Sequence, residues 1–294
     1  FTPENTFDIM RNPPKVLIIA QAELLLDDPT AAQWLSQVEV IIGLKLFRDD
    51  GAEKLAHLLL PIQSFAERDG TFTNGERRVQ RFYTAQGPMG DALPAWQVLS
   101  RIQEKLGKGK QRLSAAAVML EISKTMPAFA GCTYKELSKV DRQFPDLGGR
   151  DLYYGGTAYQ NKGGLGVQIN TAADNGEVIA PADVILPALP TAANGGVVII
   201  PSTRLYNRET VFQPSTLLHP RVLMPYAEIN SVDAAKWGIV SGDVVEISTN
   251  DNVRVRVKAH VNGGAPEGSI VLPRHLTTSA IPISLTVGQL SKVE

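Results

Sequence analysis

Between Val253 and Lys258 valine alternates with a basic side chain, V-R-V-R-V-K, and alternating burial is expected to run on to Val261. A period of two puts every second residue on the same side of an extended chain. The segment therefore predicts a half-buried strand with one apolar and one basic face. Asp243–Ser248 (D-V-V-E-I-S) precedes it across Thr249-Asn250-Asp251-Asn252, and the two read as a hairpin. Further short strands are predicted at Val197–Ile200, at Arg221–Met224 ahead of Pro225, and at Ser269–Leu272. One helix interrupts them, Val232–Trp237, capped by Asn230 or Ser231 and ended by Gly238. Short, closely spaced strands around one helix predict a small barrel over residues 196–294.

The first part of the chain follows another grammar. After an irregular lead-in over residues 1–14, Lys15–Ala20, Val38–Leu44 and His57–Leu60 are continuous apolar runs, read as buried parallel strands. Asp27, Asp28 and Pro29 supply an N-cap and a first-turn proline for a helix through about Gln37, and Asp49–Lys54 reads as a short helical piece. Strand, helix, strand, helix, strand predicts a parallel sheet with crossover helices. Gln21-Ala22-Glu23 stands where a G-x-G-x-x-G turn would follow the first strand, so the glycine-rich dinucleotide fingerprint is missing.

Pro61 ends the third strand, and a binding loop in such a sheet sits just beyond that point. The next segment carries Arg77, Arg78 and Arg81, which either face an anion or form a solvated face, the second being the commoner outcome for a charge run. Trp96–Leu106 and Leu113–Lys124 read as helices, the first stopped by Gly107, and Tyr134–Val140 as a further helical turn. These elements make residues 1–126 an α/β domain. Residues 127–195, where glycines cluster, read as a linker before the barrel. Within it Gly163–Gly166 is a weak candidate for a phosphate cradle, and Ala182–Pro187 echoes Ala56–Pro61.

Several chemistries are disfavoured. A net charge of −1 gives no global field for nucleic acid or anionic lipid. No apolar run is long enough to span a bilayer. The one cysteine, Cys132, cannot form an intrachain disulfide or hold an iron–sulfur cluster. His57, His219, His260 and His275 are widely separated and show no ligand spacing, so no metal site is expected. The chain opens on Phe1 in a loop and reads as a piece of a longer protein.

Two motifs carry a resemblance. The first is the Ala56–Pro61 run followed by Glu67-x-x-Gly70-Thr71-x-x-Asn74 and Glu76-Arg77-Arg78-Val79-Gln80. The second is Ile229-Asn230-x-x-Asp233-Ala234-Ala235-x-x-Gly238-Ile239-x-x-Gly242-Asp243-x-Val245, followed by Gly268–Pro273 and His275. Together they resemble the molybdopterin-dependent oxidoreductases, a family that includes formate dehydrogenases, periplasmic nitrate reductases and the large iron–sulfur subunit of NADH:quinone oxidoreductase (complex I). The resemblance implies a partial parallel α/β domain followed by a double-psi β-barrel of the molybdopterin-dinucleotide-binding type. His57 stands where the family usually has Asp, and Arg77 where it has Gly, a change that makes close backbone approach to a ligand there less expected.

On that resemblance the favoured expectation is the carboxyl-terminal, structural and assembly portion of the complex I subunit. It carries no cofactor of its own, and the iron–sulfur clusters lie upstream. Its partners are the other subunits of the peripheral arm, and its place is cytoplasmic, against the inner face of the cell membrane. The alternative is the pterin-clamping half of a molybdenum or tungsten enzyme such as formate dehydrogenase or nitrate reductase, binding molybdopterin guanine dinucleotide. In that case the resemblance points to Arg78, Arg204, Arg208, Asn230, Asp233 and His275 as cofactor contacts. A third reading, a stand-alone binding protein, fits the half-sized sheet poorly. No nucleophile–base pair or other catalytic constellation is recognisable in any reading.

Overall fold

In a computed structural model of the chain, the described residues are 6–48, 50–138, 166–178, 188–193, 195–250, 253–277 and 279–293. The candidate phosphate cradle at Gly163–Gly166 falls almost wholly outside them, and the echo at Ala182–Pro187 entirely so. The chain divides into two compact units, Phe1–Leu59 with Ile185–Glu294, and Leu60–Val184. The boundary placed after residue 126 from the sequence falls inside the second unit, and the one after 195 inside the first. No helix among the described residues is long and apolar enough to cross a membrane.

The first unit opens with α1 (Thr6–Arg11), β1 (Val16–Ala20), α2 (Leu24–Asp27), α3 (Ala31–Leu35), β2 (Val40–Lys45) and α4 (Asp50–Leu55). β1 and β2 run parallel, Val16 opposite Val40 and Ala20 opposite Leu44, with β3 (Leu58–Pro61) on the far side of β2. One sheet face packs Leu17, Ile19 and Ile41 against Ala31, Trp34 and Leu35. The other face is partly open among the described residues: Val16 is 55% exposed, Ile18 38% and Leu58 48%, whereas Leu44, paired with Ala20, is fully buried. These strands are apolar on both sides, as expected. The single helix expected over 27–37 is two short ones. Asp28 turns the chain between them by accepting the Thr30 N–H (2.8 Å) and the Trp34 Nε1–H (3.2 Å).

The second unit holds an antiparallel hairpin of β4 (Gly70–Thr73) and β5 (Arg78–Phe82), with β6 (Val167–Gln168) on the other edge of β5. Its helices are α5 (Ala95–Lys105), α6 (Ala115–Thr125) and α7 (Tyr134–Leu137). Val79, Met119, Cys132 and Leu137 form its core, and burial raises the Cys132 thiol pKa. The arginine segment forms no solvated face. Arg78 is buried, its N–H on Asn74 Oδ1 (2.9 Å). Arg81 pairs with Asp69 (3.0 Å) and sits over the rings of Tyr83 (4.2 Å) and Tyr134 (4.3 Å). Arg77 adopts φ +62°, so this arginine holds the backbone conformation that a glycine favours.

The remainder of the first unit is a closed barrel of β7 (Val197–Thr203), β8 (Tyr226–Asn230), β9 (Val244–Thr249), β10 (Arg254–Asn262), β11 (Ser269–Arg274) and β12 (Thr286–Lys292). Around the barrel the order is β10-β8-β11-β7-β12-β9, the double-psi arrangement expected from the resemblance. β7–β11 and β8–β10 are parallel, and the other pairs antiparallel. The alternation that opened the sequence reading is realised: Val255 and Val257 are buried, while Arg254 and Arg256 reach Glu246 across the hairpin at 3.6 and 2.8 Å. Asn230 caps α8 (Ser231–Lys236) by accepting the Val232 N–H (2.8 Å). Two expectations are corrected. Residues 221–224 do not form a strand; His219–Arg221 is a 3-10 turn, and the strand begins at Tyr226, after Pro225 has interrupted the backbone donors. β12 was missed because T-V-G-Q-L-S-K is mostly polar; Gly288 within it lies where a Cβ would meet Ser248 O at 2.3 Å.

Candidate functional site

The two parts of the first unit meet around a cavity of about 810 Å³. Ile19, Ile41, Gly43 and Lys45 line it from β1 and β2, and Glu23, Leu24 and Leu25 from the turn after β1 and from α2. These strand residues share the covered sheet face, since Ile19 pairs with Gly43 and residues 41, 43 and 45 alternate with it. The opposite wall is the segment after β7, represented by Asn207, Arg208, Thr210 and Phe212, with His219 and Thr277. The cavity lies at the carboxyl end of a parallel sheet, where ligands bind in open α/β folds.

Local sequence explains the wall. Asn207, buried, accepts the Glu209 N–H (2.9 Å) and donates to Arg204 O (3.2 Å), an asparagine turn that folds the chain back on itself. Gln213 Nε2 donates to Arg208 O (3.1 Å), and His219 Nε2 contacts Gln213 O at 2.8 Å. The Thr210 N–H donates to Glu23 (3.1 Å), and the Arg208 N–H to His275 O (2.8 Å). Gln21, after β1, and His275, after β11, have φ values of +60° and +59°, uncommon for side-chain-bearing residues and concentrated at functional sites. The Arg208 guanidinium has no hydrogen-bond or ion-pair partner among the described residues. Three buried side-chain atoms near the ends of β7 and β11 also have none: Ser202 Oγ, Arg204 Nε and His275 Nδ1. Their register explains the grouping. Ser202 stands opposite Pro273 and Thr203 opposite Arg274 on parallel strands.

The six candidate contacts separate. Arg208 lines the cavity, and His275 holds Arg208's backbone. Arg204 pairs with Glu228 through Nη2 and lies 5.5 Å over the Tyr226 ring. Asn230 also donates to Ala265 O (2.9 Å), and the buried Asp233 accepts the Gly268 N–H (2.6 Å) and contacts Lys236 Nζ (3.2 Å). Both sit at α8. Arg78 belongs to the second unit. Sequence reasoning missed Glu23, Asp27, Glu209 and Arg274. Glu209 had a signal, lying one residue from Arg208; Asp27 was read as a helix cap. No group of three or more metal-ligating side chains occurs among the described residues.

Comparison with known proteins bears on these features. Residues 1–105 match the molybdopterin oxidoreductase family, and residues 197–289 the molydopterin dinucleotide binding domain. The chain is 31% identical over 235 residues to F420-dependent formate dehydrogenase 2 subunit alpha of Methanococcus maripaludis, covering 77% of this chain and 33% of that one. To F420-dependent formate dehydrogenase subunit alpha of Methanocaldococcus jannaschii it is 29% identical over 276 residues, covering 89% of this chain and 38% of that one. It therefore spans between 33% and 38% of the length of these curated relatives. Acetylene hydratase from Pelobacter acetylenicus shares the fold, with a TM-score of 0.64 at 15% identity over 98% of this chain and 46% of that structure.

These relatives overturn the favoured expectation. They are formate dehydrogenase α subunits, so the assignment to the large iron–sulfur subunit of NADH:quinone oxidoreductase, and with it to the peripheral arm of complex I, is corrected. Arg77, which stands where the family has Gly, keeps glycine-like backbone geometry at φ +62°.

Proposed function

We propose that this chain, whose residues 1–105 match the molybdopterin oxidoreductase family and whose residues 197–289 match the molydopterin dinucleotide binding domain, holds the nucleotide end of a molybdopterin dinucleotide within a formate dehydrogenase-type α subunit that works with partner subunits. The single observation that carries the reading is the Arg208 guanidinium, without an ion-pair partner among the described residues, on the wall of a cavity at the carboxyl end of the parallel sheet. A guanidinium matches the geometry of a diphosphate and binds it bidentately.

The residues present fit such a group. The cavity is lined largely by apolar side chains, including Ile19, Leu24 and Phe212, which suit flat heterocycles, with a small number of polar groups to fix orientation. Three buried polar atoms without a hydrogen-bond partner among the described residues, Ser202 Oγ, Arg204 Nε and His275 Nδ1, lie near the ends of β7 and β11, beside the segment that forms this wall. When bound, the group supplies the redox centre. This chain's part is to bind and orient it: Arg208 faces the ligand and His275 holds the Arg208 backbone, while Arg204, Asn230 and Asp233, engaged with protein atoms, support the wall and the barrel. Arg78 lies in the second unit, where its backbone N–H donates to Asn74 Oδ1.

The test is elemental and pterin analysis of the intact α subunit, with formate-dependent reduction of a viologen dye on the same sample. Near-stoichiometric molybdenum or tungsten with a pterin fluorophore, lost together in Arg208→Ala, is the expected result. Protein free of metal and pterin after production in a host that makes the cofactor overturns it.

A further inference from the structure

We infer that His275 is a positioning residue: it locks the Asn207–Thr210 loop to the turn after β1, and so sets where Arg208 stands in the cavity. The last step rests on the reading of Arg208 as an anion contact; the lock itself does not.

His275 combines two costly features. Its side chain is 2% exposed, and its φ is +59° without the freedom of glycine. Such a residue persists only where its surroundings over-determine it. The surroundings here are two carboxylates arriving from opposite walls. His275 Nε2 lies 3.3 Å from Asp27 Oδ1, at the end of α2, and 3.4 Å from Glu209 Oε1, next to Arg208. Nε2 thus stands between the two carboxylates, within ion-pairing distance of each. The backbone of the same residue takes the Arg208 N–H at 2.8 Å.

Two neighbours complete the junction. Arg274 holds the Asp27 carboxylate at 3.0 Å, and Glu23, from the turn after β1, accepts the Thr210 N–H at 3.1 Å. Glu209 and Thr210, the two residues after Arg208, are thus each tied to a partner outside their own loop. None of these ties involves the barrel core, which is built from residues such as Val197, Ile199, Ile247 and Ile270 and closes without His275. The prediction is therefore local: removing the imidazole loosens the two walls and leaves the barrel closed.

The test uses hydrogen–deuterium exchange on the full chain carrying His275→Asn. Asparagine tolerates positive φ better than most side chains but is too short to reach both carboxylates. Amides of residues 22–28 and 207–213 are expected to exchange about tenfold faster, with β9 and β10 unchanged. Glu209→Ala, at an unstrained position, should reproduce the effect and decides the matter if His275→Asn fails to fold. Unchanged exchange in residues 22–28 in a folded variant overturns the lock.

Calorimetric titration with inorganic pyrophosphate reads the consequence for Arg208. Affinity about fivefold weaker in His275→Asn and Glu209→Ala is expected. Wild-type affinity in both variants, with binding abolished in Arg208→Ala, overturns the positioning role. Wild-type protein that ignores pyrophosphate, or Arg208→Ala that still binds it, sinks the anion reading instead and leaves the lock to the exchange data.

Discussion

Arg274 donates from Nη2 to both the carboxylate (3.0 Å) and the backbone carbonyl (2.9 Å) of Asp27, 247 positions away in the chain. A β11 residue of the barrel thereby closes the end of α2 in the α/β part. Its side chain is 13% exposed, so the pair is shielded but not fully desolvated. Arg274→Met should cost roughly 2 kcal/mol in urea unfolding, because a carboxylate and a helix-end carbonyl both lose a donor. Asp27→Ala should cost a similar amount, and the double variant less than the sum. Additive losses would mean that the two side chains act independently.

Asp233 is the barrel's counterpart. It is buried and accepts the Gly268 N–H at 2.6 Å, joining α8 to the turn before β11. Asp233→Ala leaves that amide without a partner and should lower stability by about 2 kcal/mol. A urea midpoint equal to wild type would show the contact to be dispensable.

Arg204 and Arg208 should part company. Arg204→Ala removes the partner of Glu228, whose side chain is only 15% exposed, and should lower the thermal midpoint. Arg208→Ala removes a guanidinium with no partner among the described residues and should leave the midpoint within about 1 °C while lowering pterin retention. The reverse pattern would transfer the ligand role to Arg204.

Arg77 occupies left-handed backbone space at φ +62°, and its Nε donates to Ile169 O at 3.2 Å. Arg77→Gly relieves the backbone strain but loses that bond and loosens the unfolded chain. These effects oppose, so unfolding free energy should stay within about 1 kcal/mol of wild type, whereas Arg77→Val, β-branched and unable to adopt this conformation cheaply, should fall well below it.

Acid should weaken the barrel through Asp243. Its hydrogen bond from Lys292 Nζ (2.7 Å), and next the Val240 N–H (2.9 Å), hold its pKa below the ordinary aspartate value. A carboxyl lowered in the folded state stabilises fully above its unfolded value and loses that contribution as pH falls through the folded one. Comparing urea midpoints at neutral pH and in acid, Lys292→Met should flatten part of the acid-side loss. An unchanged pH slope would remove this pair from the explanation.

Much of the fold was legible because it rests on local periodicity. The V-R-V-R-V-K run, the Asn230 cap and the Gly238 stop each act within a few residues, and all three appear where the pattern places them. The parallel β1–β2 pair followed from apolar runs of strand length. Less local features went astray. β12 has too few apolar residues to announce a strand; its place is decided by Gly288 fitting against Ser248. The Arg77–Arg81 segment looked solvated because composition does not reveal Asp69, Tyr83 and Tyr134 folding back over Arg81.

The candidate site divides in the same way. Sequence by itself determined the two kinds of module, their order, and the arginine-bearing segment after β7, since these depend on short-range pattern and on motifs that build turns and caps. Only the tertiary structure decided which arginine is free for a ligand. Arg204 and Arg208 are four positions apart and chemically alike, but Glu228 lies beside one and an open cavity beside the other. The His275 junction is likewise tertiary, because Asp27 and Glu209 each come within 3.4 Å of His275 Nε2 only when the barrel closes against the sheet. Charge neutralisation and burial depend on neighbours in space, and those neighbours lie tens to hundreds of residues away along the chain.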